Sequence, residues 1–128
     1  MALETIKESI EYNSQGVEAL YLVEFGDIAS SEYRNGGVVV FETNKVFGGD
    51  SGYYYVGSFE VKNGELLGQA RITKHNPHWD NVFGDSVDSF EVDIIAKIDG
   101  VNIVGSMKRL DMPSFLLPIR FSRLEDLP

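Results

Sequence analysis

The fold is decided by the stretch GGVVVFETNKVFGGDSGYYYVGSFEVKNG, which occupies residues 36–64. Short apolar runs alternate here with glycine and asparagine, a pattern typical of consecutive β-hairpins. The longest run, residues 53–62, alternates as a strand does. Asn63-Gly64 then predicts a type I′ hairpin turn, because both residues tolerate the left-handed backbone that this turn requires.

The same pattern continues outward from this stretch, from Val17 to the C-terminus. Strands are predicted at residues 19–25, 37–42, 45–47, 53–62, 65–75, 90–98, 101–107 and 115–124. Most are joined by short turns such as Asp99-Gly100, so we expect an antiparallel meander of about eight strands. Each strand has one apolar face, so the sheet must close on itself or stack on a second sheet. We expect an all-β, up-and-down barrel, since closure removes exposed edges, with a two-sheet sandwich as the alternative.

The residues before the barrel form a separate extension in this interpretation. Leu3, Ile6 and Ile10 recur at helical spacing between charged residues, and the polar residues 13–16 end that pattern. We expect one short amphipathic helix, which plugs an end of the barrel, docks on a partner or frays. The predicted division is therefore 1–16 for the helical extension and 17–128 for a single β-barrel domain.

Composition and charge exclude several classes of function. The chain has 128 residues and no cysteine, which excludes a disulfide framework, a thiol nucleophile and a thiolate metal site. Its formal net charge is −9 and it has no cluster of lysine or arginine, so we expect binding to neither nucleic acid nor an anionic membrane. That charge suits solubility or a basic protein partner. The charged N-terminus lacks the apolar core of a signal peptide, so we expect a cytoplasmic location.

No residue cluster predicts catalysis, a cofactor or a metal. His75, His78, Asp80 and Asp85 have a spacing that suggests a metal site, but a strand end followed by proline does not hold two imidazoles on one face. Residues 48–52 are rich in glycine, yet they precede a strand and not the helix that a phosphate loop needs, so they predict a sharp corner. No serine stands in a nucleophile elbow. We therefore expect a protein that is not an enzyme.

The interior of the predicted barrel has two alternatives. A barrel of about eight strands is either filled by side chains or holds one small apolar ligand. Small residues on the inward faces would leave room for a ligand: Gly57, Gly68, Ala70 and Gly105. If a lipid-like molecule binds there, the expected lining residues are Tyr55, Phe59, Ile72, Phe90, Ile94, Ile103, Met107, Ile119 and Phe121.

Several segments carry a family resemblance. They are ALYLVEF at 19–25, GVVVF at 37–41, Gly48-Gly49-Asp50 followed by Tyr55-x-Gly57, RITKH at 71–75, VFG at 82–84 and IRFSRL at 119–124. Together they resemble the GrlR-like family, which comprises negative regulators of type III secretion and uncharacterised bacterial relatives.

The resemblance implies a lipocalin-like barrel that forms a homodimer and regulates by protein–protein contact. The regulator that gives the family its name sequesters a helix-turn-helix transcriptional activator, and a hydrophobic cavity in that fold has suggested lipid sensing. Its acidic surface motif Glu-Asp-Glu-Asp is matched here by EVKNGE at residues 60–65, which lacks the acidic run. We therefore expect a non-enzymatic binding protein of this kind, with a small apolar ligand in the barrel as the alternative.

Overall fold

Eight antiparallel strands close into a barrel in the computed structural model, which describes residues 16–26, 33–79 and 87–128. The strands are β1 (Ala19–Gly26), β2 (Tyr33–Glu42), β3 (Lys45–Gly49), β4 (Tyr53–Lys62), β5 (Glu65–Lys74), β6 (Ser89–Asp99), β7 (Asn102–Arg109) and β8 (Leu116–Asp126). Each strand pairs with its neighbours in sequence, and β8 pairs with β1. The predicted up-and-down barrel is confirmed, and the alternative of a sandwich is wrong. The predicted helix over residues 3–12 lies outside the described residues.

The two ends of the barrel differ in their connections. At the end that we call the lower end, three hairpins turn in two residues each: Thr43-Asn44, Asn63-Gly64 and Gly100-Val101. The β1–β2, β3–β4, β5–β6 and β7–β8 connections, which are longer, all lie at the opposite, upper end. Asn63 and Gly64 have φ values of 54° and 78°, as the predicted type I′ turn requires. The barrel is therefore closed by tight turns below and by longer connections above.

Strand alternation separates a buried inner face from an outer face. On β4, Tyr53, Tyr55 and Phe59 are at most 4% exposed, whereas Tyr54 and Val56 point outward. Full burial of a large apolar side chain stabilises a fold by roughly 1.5–3 kcal/mol. The described residues contain no helix long and apolar enough to cross a membrane.

Aromatic rings fill the lower part of the barrel. The ring of Phe41 meets those of Tyr21, Phe59 and Phe121 edge-to-face, with centroid distances of 5.2, 5.0 and 5.2 Å. Such pairs add about 0.5–1.5 kcal/mol each beyond the area that they bury. Since these residues lie on β1, β2, β4 and β8, the ring cluster ties opposite sides of the barrel together.

Two inward glycines lie where neighbouring strands approach too closely for a side chain. A Cβ on Gly57 would lie 1.9 Å from the carbonyl oxygen of Gln69, and one on Gly105 would lie 2.0 Å from that of Ile95. Glycine is the residue that permits this approach in a strongly curved sheet. The expectation that Gly57 and Gly105 leave room for a ligand is therefore wrong, because neighbouring backbone occupies that space.

We expect Gly57→Ala to destabilise the barrel by about 2 kcal/mol or more, because the methyl group collides with fixed backbone. Gly68→Ala is the matched control, since its Cβ would meet its nearest atoms at 3.6 Å, an ordinary contact distance. That control should stay within about 0.5 kcal/mol of the parent. Urea unfolding measures both, and equal stabilities of the two variants would contradict the role assigned to Gly57.

Candidate functional site

The motif residues Asp50 and Tyr55 organise the β3–β4 connection at the upper end. Asp50 Oδ1 accepts hydrogen bonds from the backbone N–H groups of Gly52 and Tyr53, both at 2.8 Å. Its Oδ2 accepts one from the Tyr55 hydroxyl group. The backbone N–H of Asp50 also donates to the Tyr53 carbonyl at 2.9 Å. The Asp50 carboxylate therefore holds together both the turn and the strand that follows it.

The glycines of this motif lie beside the turn and not in it. A Cβ on Gly48 would lie 2.0 Å from the Val38 carbonyl oxygen, and one on Gly49 would lie 2.9 Å from that of Tyr53. Both residues belong to β3, and the chain reverses at residues 50–52. The chain does reverse within the predicted residues 48–52. The reversal itself is made by residues 50–52, around Asp50, whereas Gly48 and Gly49 lie in β3 and allow the backbone of neighbouring strands to approach.

Tyr55 is a buried, neutral hydrogen-bond donor. Its side chain packs edge-to-face on Phe25, with ring centroids 6.1 Å apart. Burial, and then the hydrogen bond to the Asp50 carboxylate, raise the pKa of Tyr55 well above its ordinary value of 10.0. A phenol held neutral in this way keeps its proton near neutral pH and donates it in a hydrogen bond that stabilises the turn.

His75 fastens the end of β5 to the same turn. Its Nε2 lies 2.9 Å from the Asp50 carbonyl oxygen, and its backbone N–H donates to the Gly52 carbonyl at 2.8 Å. His78 is exposed, and Asp80 and Asp85 lie outside the described residues. In the described part of the chain, no three histidine, cysteine or acidic residues are grouped to hold a metal ion. His75 therefore has a structural role at this end of the barrel.

The residues predicted to line the interior all lie on the inner face. Eight of them are at most 7% exposed, and Ile72 is partly buried against the same core. The eight are Tyr55, Phe59, Phe90, Ile94, Ile103, Met107, Ile119 and Phe121. Sequence reasoning missed Tyr21 and Phe41, although their positions in the alternation of β1 and β2 could have identified them.

Arg109 is a buried cation that the sequence pattern did not predict. Its side chain is 1% exposed, and its guanidinium group donates to both carboxylate oxygens of Asp111, at 2.6 and 3.0 Å. The same group lies 4.5 Å from the centroid of the Phe90 ring, a cation–π distance. Arg109 therefore links Asp111, in the segment between β7 and β8, to the core residue Phe90 at the upper end.

The outer surface of β1–β4 carries a continuous apolar area, which we call the β1–β4 face. Cross-strand pairing places its residues in two adjacent rows, and neither row contains a charged residue. The members are Leu20, Val40, Phe47 and Val56 in one row and Leu22, Val38, Gly49 and Tyr54 in the other.

The β1–β4 face is open to solvent. Val38, Phe47, Tyr54 and Val56 are 45%, 42%, 46% and 56% exposed. These four side chains together expose on the order of 300 Å², the lower end of the range for the largest apolar patch of a typical monomer, which is often a functional surface. Ion pairs border the face: Arg120 with Glu24 at 2.8 Å on one side, and Arg71 with Glu91 at 3.5 Å on the other.

The described connections of the upper end contain three acidic residues and no lysine or arginine. These connections are residues 50–52, 75–79, 87–88 and 110–115, and their acidic residues are Asp50, Asp88 and Asp111. Asp111 is paired with Arg109 of β7. The two-residue turns of the lower end contain no charged residue.

We expect Tyr55→Phe to lower the unfolding free energy by about 1–2 kcal/mol near pH 8, because Asp50 loses a buried hydrogen-bond donor. The parent should lose this advantage above about pH 10, since the raised pKa keeps Tyr55 neutral only in the folded state and ionisation favours the unfolded chain. Urea unfolding at pH 8 and at pH 11 measures both effects. Tyr54→Phe, on the exposed face of the same strand, is the control and should change stability by less than about 0.5 kcal/mol. A difference between parent and Tyr55→Phe that does not shrink at high pH would contradict this account.

Comparison with known proteins identified no relative of this chain. No family model and no curated protein matches the sequence. The resemblance to the GrlR-like family stays a prediction.

Proposed function

We propose that this chain is a non-enzymatic regulatory protein that acts by protein–protein contact. In this proposal it self-associates through the β1–β4 face and holds a basic protein partner at its acidic upper end. The uncharged apolar β1–β4 face is the observation that carries the proposal. This mode of action is the one that the resemblance to negative regulators of type III secretion implies, and it includes the expected homodimer and cytoplasmic location.

The charge of the molecule favours this face for contact between two copies. Each copy carries a formal net charge of −9, so approach through most surfaces is opposed by repulsion. The β1–β4 face has no charge to desolvate, and both signs of charge are present in the ion pairs at its borders. A two-fold axis would bring the same face of each copy together, as symmetric dimers require.

The area of the face is compatible with a dimer of modest stability. A standard interface buries about 800 Å² on each partner, of which roughly 55–65% is apolar. Burying on the order of 300 Å² of apolar surface per copy contributes about 7 kcal/mol from each side before the cost of association is subtracted. Phe47 and Tyr54 belong to the residue types that dominate binding energies, and they lie on adjacent strands within the face.

The acidic upper end supports a basic partner. The described upper connections contribute Asp50, Asp88 and Asp111 and no lysine or arginine, and with the formal net charge of −9 they favour the approach of a cationic protein. The hairpin EVKNGE, which matches the acidic motif of the family, lies instead at the lower end and carries both signs of charge. We therefore propose a partner with a basic surface, such as a transcriptional activator, that binds away from the position of the family motif.

Binding of a small apolar ligand is the alternative function. Such a ligand would have to bind in the upper part of the barrel interior, because the aromatic rings around Phe41 occupy the lower part. Native mass spectrometry of freshly purified protein tests it. A bound lipid at stoichiometric amount would favour the alternative, and a mass equal to that of the bare chain would favour the surface proposal.

We expect Val56→Asp to weaken self-association at least tenfold, because the dimer must desolvate the new carboxylate even with Arg71 on the neighbouring strand. Ile95→Asp is the matched control, since Ile95 on β6 is 55% exposed and lies outside the β1–β4 face, against 56% for Val56. Sedimentation equilibrium gives the dissociation constant for the parent and for both variants. A monomeric parent, or an equal effect of the two substitutions, would contradict the proposed dimer.

The basic partner is tested by zero-length carbodiimide coupling in an extract of the native host, followed by mass spectrometry. We expect lysines of the partner to couple to Asp88 at the upper end and not to Asp99 at the lower end, although both residues are exposed. Asp88→Asn should lower the yield of the coupled product severalfold, whereas Asp99→Asn should not change it. Coupling at Asp99 alone would contradict the proposed site.

A further inference from the structure

We propose that two copies of this chain dock through the β1–β4 face in one register, about a two-fold axis that crosses the strands between the two rows of the face. In this register Phe47 of each copy sits over Gly49 of the other copy. The register rests on the proposed function, because it specifies how the proposed dimer is built. A notch beside Gly49 and the order of large and small residues in the two rows support it.

An open notch lies beside Gly49 at the upper edge of the β1–β4 face. Its volume is about 520 Å³, and its lining includes Leu22, Gly36, Val38, Gly49 and Asp50. Both oxygens of the Asp50 carboxylate already accept hydrogen bonds within the β3–β4 connection and the start of β4. A cavity of roughly 150 Å³ is enough to hold a benzene ring, so the notch has room for an aromatic side chain.

Phe47 is the aromatic side chain that a second copy can place in this notch. It lies two residues before Gly49 on the outward face of β3, and it is 42% exposed. Two residues of a strand span about 6.6 Å. A two-fold axis that crosses β3 midway between these positions exchanges them, so that the Phe47 ring of each copy meets the other copy's Gly49, as an isologous interface requires.

The same axis brings the first row of one copy onto the second row of the other, strand by strand. The residues in each facing pair are apolar, and the two large aromatic residues face smaller ones. The pairs are Leu20 with Leu22, Val40 with Val38, Phe47 with Gly49 and Val56 with Tyr54. The centre of a stable interface is packed as densely as a protein interior, and this match of large and small residues provides such packing.

A two-fold axis along the strands, between β2 and β3, gives a poorer fit. It would place Phe47 on Val40 in the first row and Gly49 on Val38 in the second row. Two protruding side chains would then meet in one row and hold a gap open over the glycine in the other. Atoms that line a gap lose their dispersion contacts, so the axis across the strands is favoured.

Disulfide trapping between copies tests the register. The chain has no cysteine, so Val38→Cys and Val40→Cys each carry a single thiol, and ¹⁵N labelling of one variant lets mass spectrometry separate mixed from uniform dimers. In an oxidised equimolar mixture we expect mixed dimers to exceed both uniform dimers together at least threefold, because only Val38 and Val40 of different copies face each other and a disulfide needs close Cβ atoms. Uniform dimers in equal or larger amount would overturn the register and leave the β1–β4 dimer standing. The absence of any linked dimer would overturn both.

A double-mutant cycle tests the position of the Phe47 ring. Gly36→Val fills the notch from β2, where a Cβ would meet its nearest atom at 3.4 Å, an ordinary contact distance. We expect it to weaken self-association at least fivefold in the parent and less than twofold in Phe47→Ala, because the ring that competes for the notch is then missing. Sedimentation equilibrium gives all four dissociation constants. Equal weakening in both backgrounds would overturn the proposal.

Discussion

Closure of one antiparallel sheet, through the pairing of β8 with β1, is the constraint on which the rest of this structure depends. A sheet of eight strands closes only if its strands curve strongly, and curvature brings neighbouring backbones together on the inner side. Gly48, Gly57 and Gly105 lie where that happens, each with a carbonyl oxygen of the next strand at the position of its missing Cβ. Closure thereby explains why glycines interrupt otherwise apolar strands.

Closure also decides which apolar residues are packed inside the barrel and which face outward. The inner face is crowded in its lower part, because curvature brings Phe41 within reach of rings from β1, β4 and β8. Apolar residues that alternate outward on β1–β4 include the exposed side chains of Val38, Phe47, Tyr54 and Val56. The uncharged apolar face on the outside of the barrel is therefore the surface on which the proposed protein–protein contact rests.

Much of the fold could be predicted from the sequence, because alternation and turn residues are local signals. The hairpin at Asn63-Gly64 is correct, with both φ values in the left-handed region. The hairpin at Thr43-Asn44 contains a β-branched residue at a φ of 51°, and there the pattern of neighbouring strands, rather than turn preference, revealed it. A glycine inside a strand indicates close approach of another backbone, and this interpretation is correct for Gly57, but only the structure shows that Gln69 is the residue that approaches it and that Ile95 approaches Gly105.

The candidate sites could not be predicted from the sequence, because each of them joins residues that are far apart along the chain. The β1–β4 face joins outward residues from four strands, and only the cross-strand register shows that Leu20, Val40, Phe47 and Val56 form one row. Arg109 looks like an ordinary surface residue until its ion pair with Asp111 and its position over Phe90 are known. Asp50 belonged to a recognised motif, but its hydrogen bonds to Gly52, Tyr53, Tyr55 and His75 are visible only in the folded structure.

The central claim is that this barrel binds through its outer β1–β4 face, and hydroxyl-radical footprinting at low and high protein concentration tests it most directly. The account predicts that oxidation of Phe47 and Tyr54 falls as concentration rises, while that of Trp79, which is 46% exposed elsewhere on the barrel, stays constant. Oxidation of Phe47 and Tyr54 that does not depend on concentration would contradict it.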